Sequence, residues 1–359
     1  MTRRTLTKSA AWGVPVIAAA VALPASSAST NCVPARFDAP APGTGANQTE
    51  ATTTTFVVPQ GVTSLSFTVA GGAGGARNGY DRSRARLVQG TLQVTPGDVL
   101  TLIVGQGGYK PQDLSSAAGW YGGQGYGNGG HSVYTPEPGA GTNLYGAVGG
   151  SGGGGSAILL GSTPLVVAGG APGQGHMTGR VPQSDPDWIP YQYMVWGADH
   201  GYDYIQGSWD RHIYAGFGKD ASGATGGSGG TVPSATSGDP ATLGWQNAFN
   251  GASGAGGVPG NGANGLYNWV ESQVAGQNAR VHASSAAGGG GYAGGGSGNV
   301  SRAYWSGTYA TVVAAVGDGG YGSDYLAPTA TGTTGVTDVR ATTGTRTPGW
   351  VTLQYEVCT

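Results

Sequence analysis

GGSGGGGS (149–156) runs directly into AILLGSTPLVVAGG (157–170). The first stretch has the composition of an unstructured linker, yet the second returns at once to short apolar runs punctuated by more glycine. Whether this glycine is floppy or structural decides the class of the protein. A flexible linker joins autonomous cores once or twice. Here seven glycine runs recur along the chain, around 71–79, 119–130, 146–156, 223–230, 251–265, 288–299 and 317–322, and neither side of any run holds a complete core. So many unordered connections inside one compact chain would be unusual. The glycine is therefore read as ordered.

Spacing within the runs supplies a geometry. Gly119, Gly122 and Gly125 are three apart, as are Gly251, Gly254, Gly257 and Gly260. Period three is the repeat of an extended left-handed helix that makes no internal hydrogen bonds. Such helices bond laterally only where no Cβ blocks the approach, which glycine permits at a high ordering entropy. The expectation is packed polyglycine II helices, with a larger side chain at Gly257 intruding between them. A collagen repeat is excluded, because the period is neither strict nor long.

Between the runs the pattern is β. LSFTV (65–69), LTLIV (100–104) and VTLQYEV (351–357) alternate apolar and polar residues, the mark of strands with one buried face. LQV (92–94) followed by Pro96-Gly97-Asp98 reads as strand and tight turn. PLVVA (164–168) is continuously apolar and reads as a strand covered on both faces. No stretch past the leader combines a helix cap with helical periodicity. The fold class is all-β with glycine-rich connections.

Composition bounds the rest. The 359 residues include 73 Gly, and only 9% are charged, against about 7% Gly and about 25% charge in typical chains. With 9 Trp, 18 Tyr and 5 Phe there is material for a core, so disorder is not the expectation. TRRTLTK (2–8), the apolar AAWGVPVIAAAVAL (10–23), and Ser26 and Ala28 ahead of a cleavage point read as a signal peptide over 1–28. That apolar run is short for a bilayer, so no transmembrane anchor is expected once it is removed. Arg3-Arg4 resembles a twin-arginine signal; the general route stays open. Its removal takes away Arg3, Arg4 and Lys8 and no acid, moving the formal charge from −2 to −5. Nucleic-acid binding has no electrostatic footprint in such a chain. Cys32 and Cys358, an even pair in an exported chain, read as one disulfide. The domain plan is a leader, a Pro/Gly/Ala lead-in over 29–53 holding Cys32, and one glycine-rich β domain over 54–359. An insertion at about 176–222 has lower glycine density.

FVVPQGVTSLSFTVAGGAGG (56–75), VQGTLQVTPGDVLTLIVGQGG (88–108), GGGGSAIL (152–159), LVVAGG (165–170) and GWVTLQY (349–355) together resemble bacterial secreted glycine-rich surface proteins. More distantly they resemble the glycine-rich ectodomain of anaplastic-lymphoma-kinase-type receptors. The resemblance covers about 54–175 and 286–357. It implies a tumour-necrosis-factor-like, jelly-roll β-sandwich with polyglycine II helices attached, in an extracellular module that adheres or binds rather than catalyses. It carries no catalytic or ligand residues to transfer.

The insertion holds the candidate site. Trp188, Tyr191, Tyr193, Trp196, Tyr202, Tyr204 and Trp209 accompany Asp199 and Asp203. Aromatic faces stack on sugar rings and carboxylates accept hydroxyl hydrogen bonds, so the set suits a carbohydrate or peptide; the alternative is an aromatic satellite core. Paired Asp residues also admit glycoside hydrolysis, which depends on a carboxylate separation that sequence does not provide. Asp185-Pro-Asp187 lacks a calcium-loop spacing, the five histidines show no H-x-x-x-H pair, and no metal or cofactor is expected. GGSGG at 149–153 and at 226–230 matches a nucleophile-elbow pattern with no helix to support it, so Ser151 and Ser228 read as spacers. Arg82, Arg84 and Arg86 read as a solvated turn beside a strand. The expected function is that of an exported, non-enzymatic structural or adhesive surface protein. Its partners would be cell-wall or environmental polysaccharide, or other copies of itself. A carbohydrate-binding module is the alternative and a secreted glycoside hydrolase the more distant one. No LPXTG-type motif ends the chain, so any attachment is expected to be non-covalent.

Overall fold

The computed structural model describes residues 31–76, 83–110, 121–132, 144–180, 202–206, 209–213, 217–231, 244–245, 252–274, 277–305, 311–342 and 344–358. The leader 1–28 lies outside them. All regular elements among the described residues are strands, and none of the described residues forms a helix long and apolar enough to cross a membrane. Two five-stranded antiparallel sheets dominate. The first, sheet A, contains β1 (Cys32–Asp38), β3 (Ser64–Ala70), β4 (Arg86–Gln93), β18 (Ala330–Val336) and β19 (Trp350–Cys358), ordered β1-β19-β3-β4-β18. The second, sheet B, contains β2 (Thr52–Val57), β5 (Val99–Val104), β7 (Ser156–Leu160), β8 (Thr163–Ala168) and β17 (Tyr325–Leu326), ordered β17-β8-β7-β5-β2.

Period-two alternation points one face of each sheet at the other. Leu65, Phe67, Val69, Val88, Leu92, Val351 and Leu353 from sheet A meet Phe56, Leu100, Leu102, Val104, Ile158 and Val166 from sheet B in one buried core. Phe56 closes one side against Phe37 and Tyr355, at ring-centroid distances of 5.2 and 5.4 Å. The turn between β4 and β5 forms as its residues dictate. Gly97 takes a φ of 92°, and the Thr95 N–H donates to the Asp98 carboxylate at 2.8 Å. β8 is covered on both faces at Val166, Val167 and Ala168; Val167 turns away from the main core onto Tyr126, Ala157 and Leu159.

The lead-in is not a connector over its whole length, because residues 32–38 form β1 along β19 in register Cys32↔Cys358 through Asp38↔Thr352. Pro34 hid this strand; Pro is compatible with a sheet edge, where no second neighbour requires its N–H. The register places the two cysteines opposite each other, and they are disulfide-bonded across a sequence separation of 326.

Smaller sheets occupy the other ends of the glycine segments. β6 (Leu144–Val148), β13 (Tyr267–Val274) and β14 (Gln277–Ser284) form one, ordered β13-β14-β6 with β6 parallel to β14. β9 (His176–Arg180), β12 (Gly244–Trp245), β15 (Val300–Trp305) and β16 (Thr311–Val316) form another, ordered β12-β15-β16-β9. β10 (Tyr202–Gln206) and β11 (Trp209–Ile213) make a separate hairpin. Residues 149–155 carry the chain from β6 to β7, 169–175 from β8 to β9, and 317–324 from β16 to β17.

The opening stretch sits at the centre of this glycine layer. Its N–H groups cycle among three neighbours. Gly150 and Gly153 donate to the Gln174 and Ala171 carbonyls, Ser151 and Gly154 to those of Tyr109 and Gln106, and Gly152 and Gly155 to those of Gly130 and Gly127. Its carbonyls repeat the cycle. Those of Gly150 and Gly153 accept from Ala287 and Gly290, those of Ser151 and Gly154 from Gly75 and Gly72, and those of Gly152 and Gly155 from Gly123 and Tyr126. Each partner recurs every three residues. A Cβ at Gly150, Gly152, Gly153, Gly154 or Gly155 would run into a neighbouring backbone carbonyl. Gly257 differs from the expectation drawn for it: nothing lies within 4 Å of its Cβ position, and its φ of 93° is what calls for glycine there.

Two of the glycine segments run out and back. Tyr126 and Tyr292 lie at their turns and rest on the outer face of sheet B. Tyr292 stacks on Tyr325 at 4.2 Å with an interplanar angle of 4°. Single tyrosines in glycine runs thus fasten the layer to the sandwich.

Candidate functional site

Of the sequence-derived candidates, Trp188, Tyr191, Tyr193, Trp196 and Asp199 lie outside the described residues, and so does Asp185-Pro-Asp187. Tyr202, Asp203 and Tyr204 fall on β10, and Trp209 opens β11. Their register is Tyr202↔Ile213, Asp203↔His212, Tyr204↔Arg211, Ile205↔Asp210 and Gln206↔Trp209. Directly opposed residues share a face of an antiparallel ladder and alternate residues change face. Tyr202, Tyr204 and Trp209 therefore belong to one face of the hairpin, and Asp203 and Asp210 to the other.

A second candidate surface was not singled out in the sequence. An open groove of about 710 Å³ crosses sheet A where β1, β19 and β3 meet. It is lined by Arg36, Ser64, Ser66, Gln354 and Glu356, with Val62 at its margin. These are the polar members of the alternating patterns whose apolar members build the core, so the signal was present but was read only for burial. Arg36 is held by Asp38, its Nε donating to both carboxylate oxygens at 3.0 and 2.9 Å. The Thr352 hydroxyl donates to Asp38 at 2.7 Å. The Arg36 hydrogen bond, with help from Thr352, holds the Asp38 carboxyl below the ordinary carboxylate range. Hydroxyl, amide, carboxylate and guanidinium groups on a flat sheet can hydrogen-bond a polyol or a peptide backbone.

The weaker motifs are absorbed by the fold. Ser151 is buried; its hydroxyl accepts from the Tyr109 N–H at 2.8 Å and donates to the Tyr121 carbonyl at 3.0 Å. His131 accepts from the Gly122 N–H through Nδ1 at 2.9 Å, and burial pushes its pKa down. Arg84 and Arg86 are half-buried rather than solvated. Arg86 lies 4.8 Å over the Tyr321 ring and 3.5 Å from Asp220, and Arg84 lies 3.8 Å from Asp338.

Two further charges, one buried and one half-buried, carried no sequence signal. Arg346 is 1% exposed and donates to the carbonyls of Ala46 at 2.8 Å, Gly107 at 2.8 Å and Tyr121 at 3.0 Å. Burial brings its pKa down to about 10, so it stays cationic at neutral pH. Asp324 accepts from the Gly169 N–H at 2.9 Å, and desolvation raises its pKa to about 6. Both tie glycine segments to the sandwich.

No family model and no curated protein matches this chain.

Proposed function

We propose that this protein is an exported, non-enzymatic structural or adhesive surface protein, released from a signal peptide over residues 1–28. In this reading the sandwich is a jelly roll of the tumour-necrosis-factor type. The glycine segments are polyglycine II helices that act as a stiff spacer, and the insertion is presented to cell-wall or environmental polysaccharide. The observation that carries the reading is the threefold hydrogen-bond cycle over Gly150–Gly155, which fits an extended glycine helix enclosed by others. The cystine joining β1 to β19 is compatible with an oxidising, extracellular setting. A layer of this kind has inextensible segments running between two β regions, a mechanical rather than a catalytic design.

A second reading, a carbohydrate-binding module, is favoured by the β10–β11 register, which groups Tyr202, Tyr204 and Trp209 on one face. Co-sedimentation of the purified protein with insoluble polysaccharides and whole cell walls, beside a Trp196→Ala, Trp209→Ala double variant, separates the two. Binding lost in the variant makes the insertion the recognition site. Equal binding of both proteins moves recognition elsewhere, and binding by neither removes polysaccharide as the partner. Catalytic release of soluble sugar, abolished by Asp203→Asn, would overturn the non-enzymatic reading.

A further inference from the structure

Strand β18 borders sheet A and pairs with β4 alone. Its residues Thr331–Val336 are all exposed, and Val336 keeps 46% of its surface accessible. The bonds that flank the ladder set its phase. The Thr337 N–H donates to the Ala85 carbonyl at 2.9 Å, and the Gln93 N–H to the Thr329 carbonyl at 3.0 Å. Those pairs continue the register Ala330↔Leu92 through Val336↔Arg86. Bonded and non-bonded pairs alternate in an antiparallel ladder. Thr331, Thr333 and Gly335 therefore bond β4, while Gly332, Thr334 and Val336 turn their N–H and C=O groups away from it. Among the described residues no backbone hydrogen bond reaches those outward groups.

Sheet edges are ordinarily guarded by charge, proline, brevity or cover. On the far side of the sandwich β1 has Pro34, Arg36 and Asp38, and it flanks β2 through the Phe37–Phe56 contact. Next to β18, the sheet B edge β17 is two residues long. ATGTTGV in β18 has none of the chemical guards: no proline, no charge and two glycines across seven residues.

We propose that β18 is a self-pairing edge, on which the β18 of a second copy of this chain adds antiparallel about a two-fold axis at Thr334. Thr334 then opposes its own copy, and Gly332 opposes Val336, so all three outward residues on each strand exchange N–H···O bonds. A two-fold contact sets like against like, and any charge near its centre would repel itself. The neutral Thr334 pair avoids this, and Gly332 leaves room for the Val336 side chain. Sheet A of one copy and sheet A of the other then become one continuous sheet. This pairing does not depend on whether a polysaccharide is bound.

Sedimentation of the purified protein over a wide concentration range tests it. The expected result is a reversible doubling of mass that Thr334→Lys abolishes, with the circular dichroism spectrum and melting temperature of that exposed-site variant unchanged. Bonded cross-strand pairs place Cα atoms about 5.5 Å apart, within disulfide reach. Oxidised Thr334→Cys should therefore give a covalent dimer, while Thr331→Cys should not. Val57→Lys, on the β2 edge, should leave the dimer intact. A monomer at every concentration, failure of Thr334→Cys to cross-link, or open-ended assembly sensitive to Val57→Lys would each overturn the proposal.

Discussion

Alanine in place of Gly153 would set one methyl group against the backbone of 71–75, where the new Cβ collides with the Gly72 carbonyl oxygen and lies 2.7 Å from that of Ala73. Ordinary contact begins at 3.4 Å, so the neighbouring segment must retreat by about 1 Å. That segment is held by the Gly72 N–H to Gly154 (2.8 Å), the Gly75 N–H to Ser151 (2.8 Å) and the Gly72 carbonyl accepting from Ala171 (2.9 Å). A shift of that size stretches all three beyond useful geometry. Each buried bond broken costs about 1–3 kcal/mol. The lower chain entropy of unfolded alanine returns about 0.4–1 kcal/mol. Three bonds at that cost, less the return, give a net loss of about 2–8 kcal/mol, or roughly 4–16 °C in melting temperature at about 2 °C per kcal/mol for a chain this long. Gly257→Ala is the matched comparison. It is also in a period-three run, but its Cβ meets open space, and only its φ of 93° opposes a side chain, at about 1–2 kcal/mol. Thermal unfolding of the two variants beside the parent decides the matter. If Gly153→Ala melts within about 2 °C of Gly257→Ala, the glycine lattice contributes far less than its geometry implies, and steric exclusion of Cβ is not why glycine stands there.

Asp324 gives a pH prediction. Its folded pKa of about 6 is above the ordinary carboxylate value, so between the two values the folded state holds the proton more tightly. Stability is therefore greatest below about pH 4 for this group and declines as pH rises through about 6, by at most about 3 kcal/mol. Asp324→Asn should remove that slope and raise the melting temperature at pH 7, while a slope retained in the variant would assign it to other groups. Arg346→Met leaves the carbonyls of Ala46, Gly107 and Tyr121 without their donor, and a loss of about 3 kcal/mol is expected in urea unfolding, because the removed desolvation cost offsets part of the lost bonding. Unchanged stability would mean that water replaces the guanidinium. Reduction of Cys32–Cys358 opens a loop of 326 residues, worth roughly 5–6 kcal/mol in the chain-entropy treatment. Both cysteines are exposed at the end of the β1–β19 ladder, so the reduced protein should keep its circular dichroism spectrum and reoxidise from the folded state. A spectrum that collapses on reduction would show that the ladder needs the bond.

Much of the fold was legible in the chain. Alternation at Leu65–Val69, Leu100–Val104 and Val351–Val357 marks buried faces because the strand period of two is a local property. The Gly97 turn was legible for a similar reason, and the cysteine pair from its even count alone. β1 was not, since Pro34 interrupts the pattern and only its edge position makes the proline acceptable. Of the aromatic candidates, only Tyr202, Tyr204 and Trp209 fall among the described residues, and their common face follows from a cross-strand register that no single strand reveals.

The glycine layer divides most sharply between sequence and tertiary structure. Its abundance and period of three, both local, are enough to read these runs as ordered. Which glycines are irreplaceable is decided elsewhere in the chain. Apart from a few bonds at their turns, such as the Gly129 N–H to the Gly123 carbonyl, the glycine segments bond to one another, so most partners are distant in sequence. The Gly130 N–H finds the Gly288 carbonyl, and the Gly150 carbonyl accepts from Ala287. Gly153 and Gly257 look alike in the sequence. Only the packed structure sets a carbonyl against one and empty space beside the other.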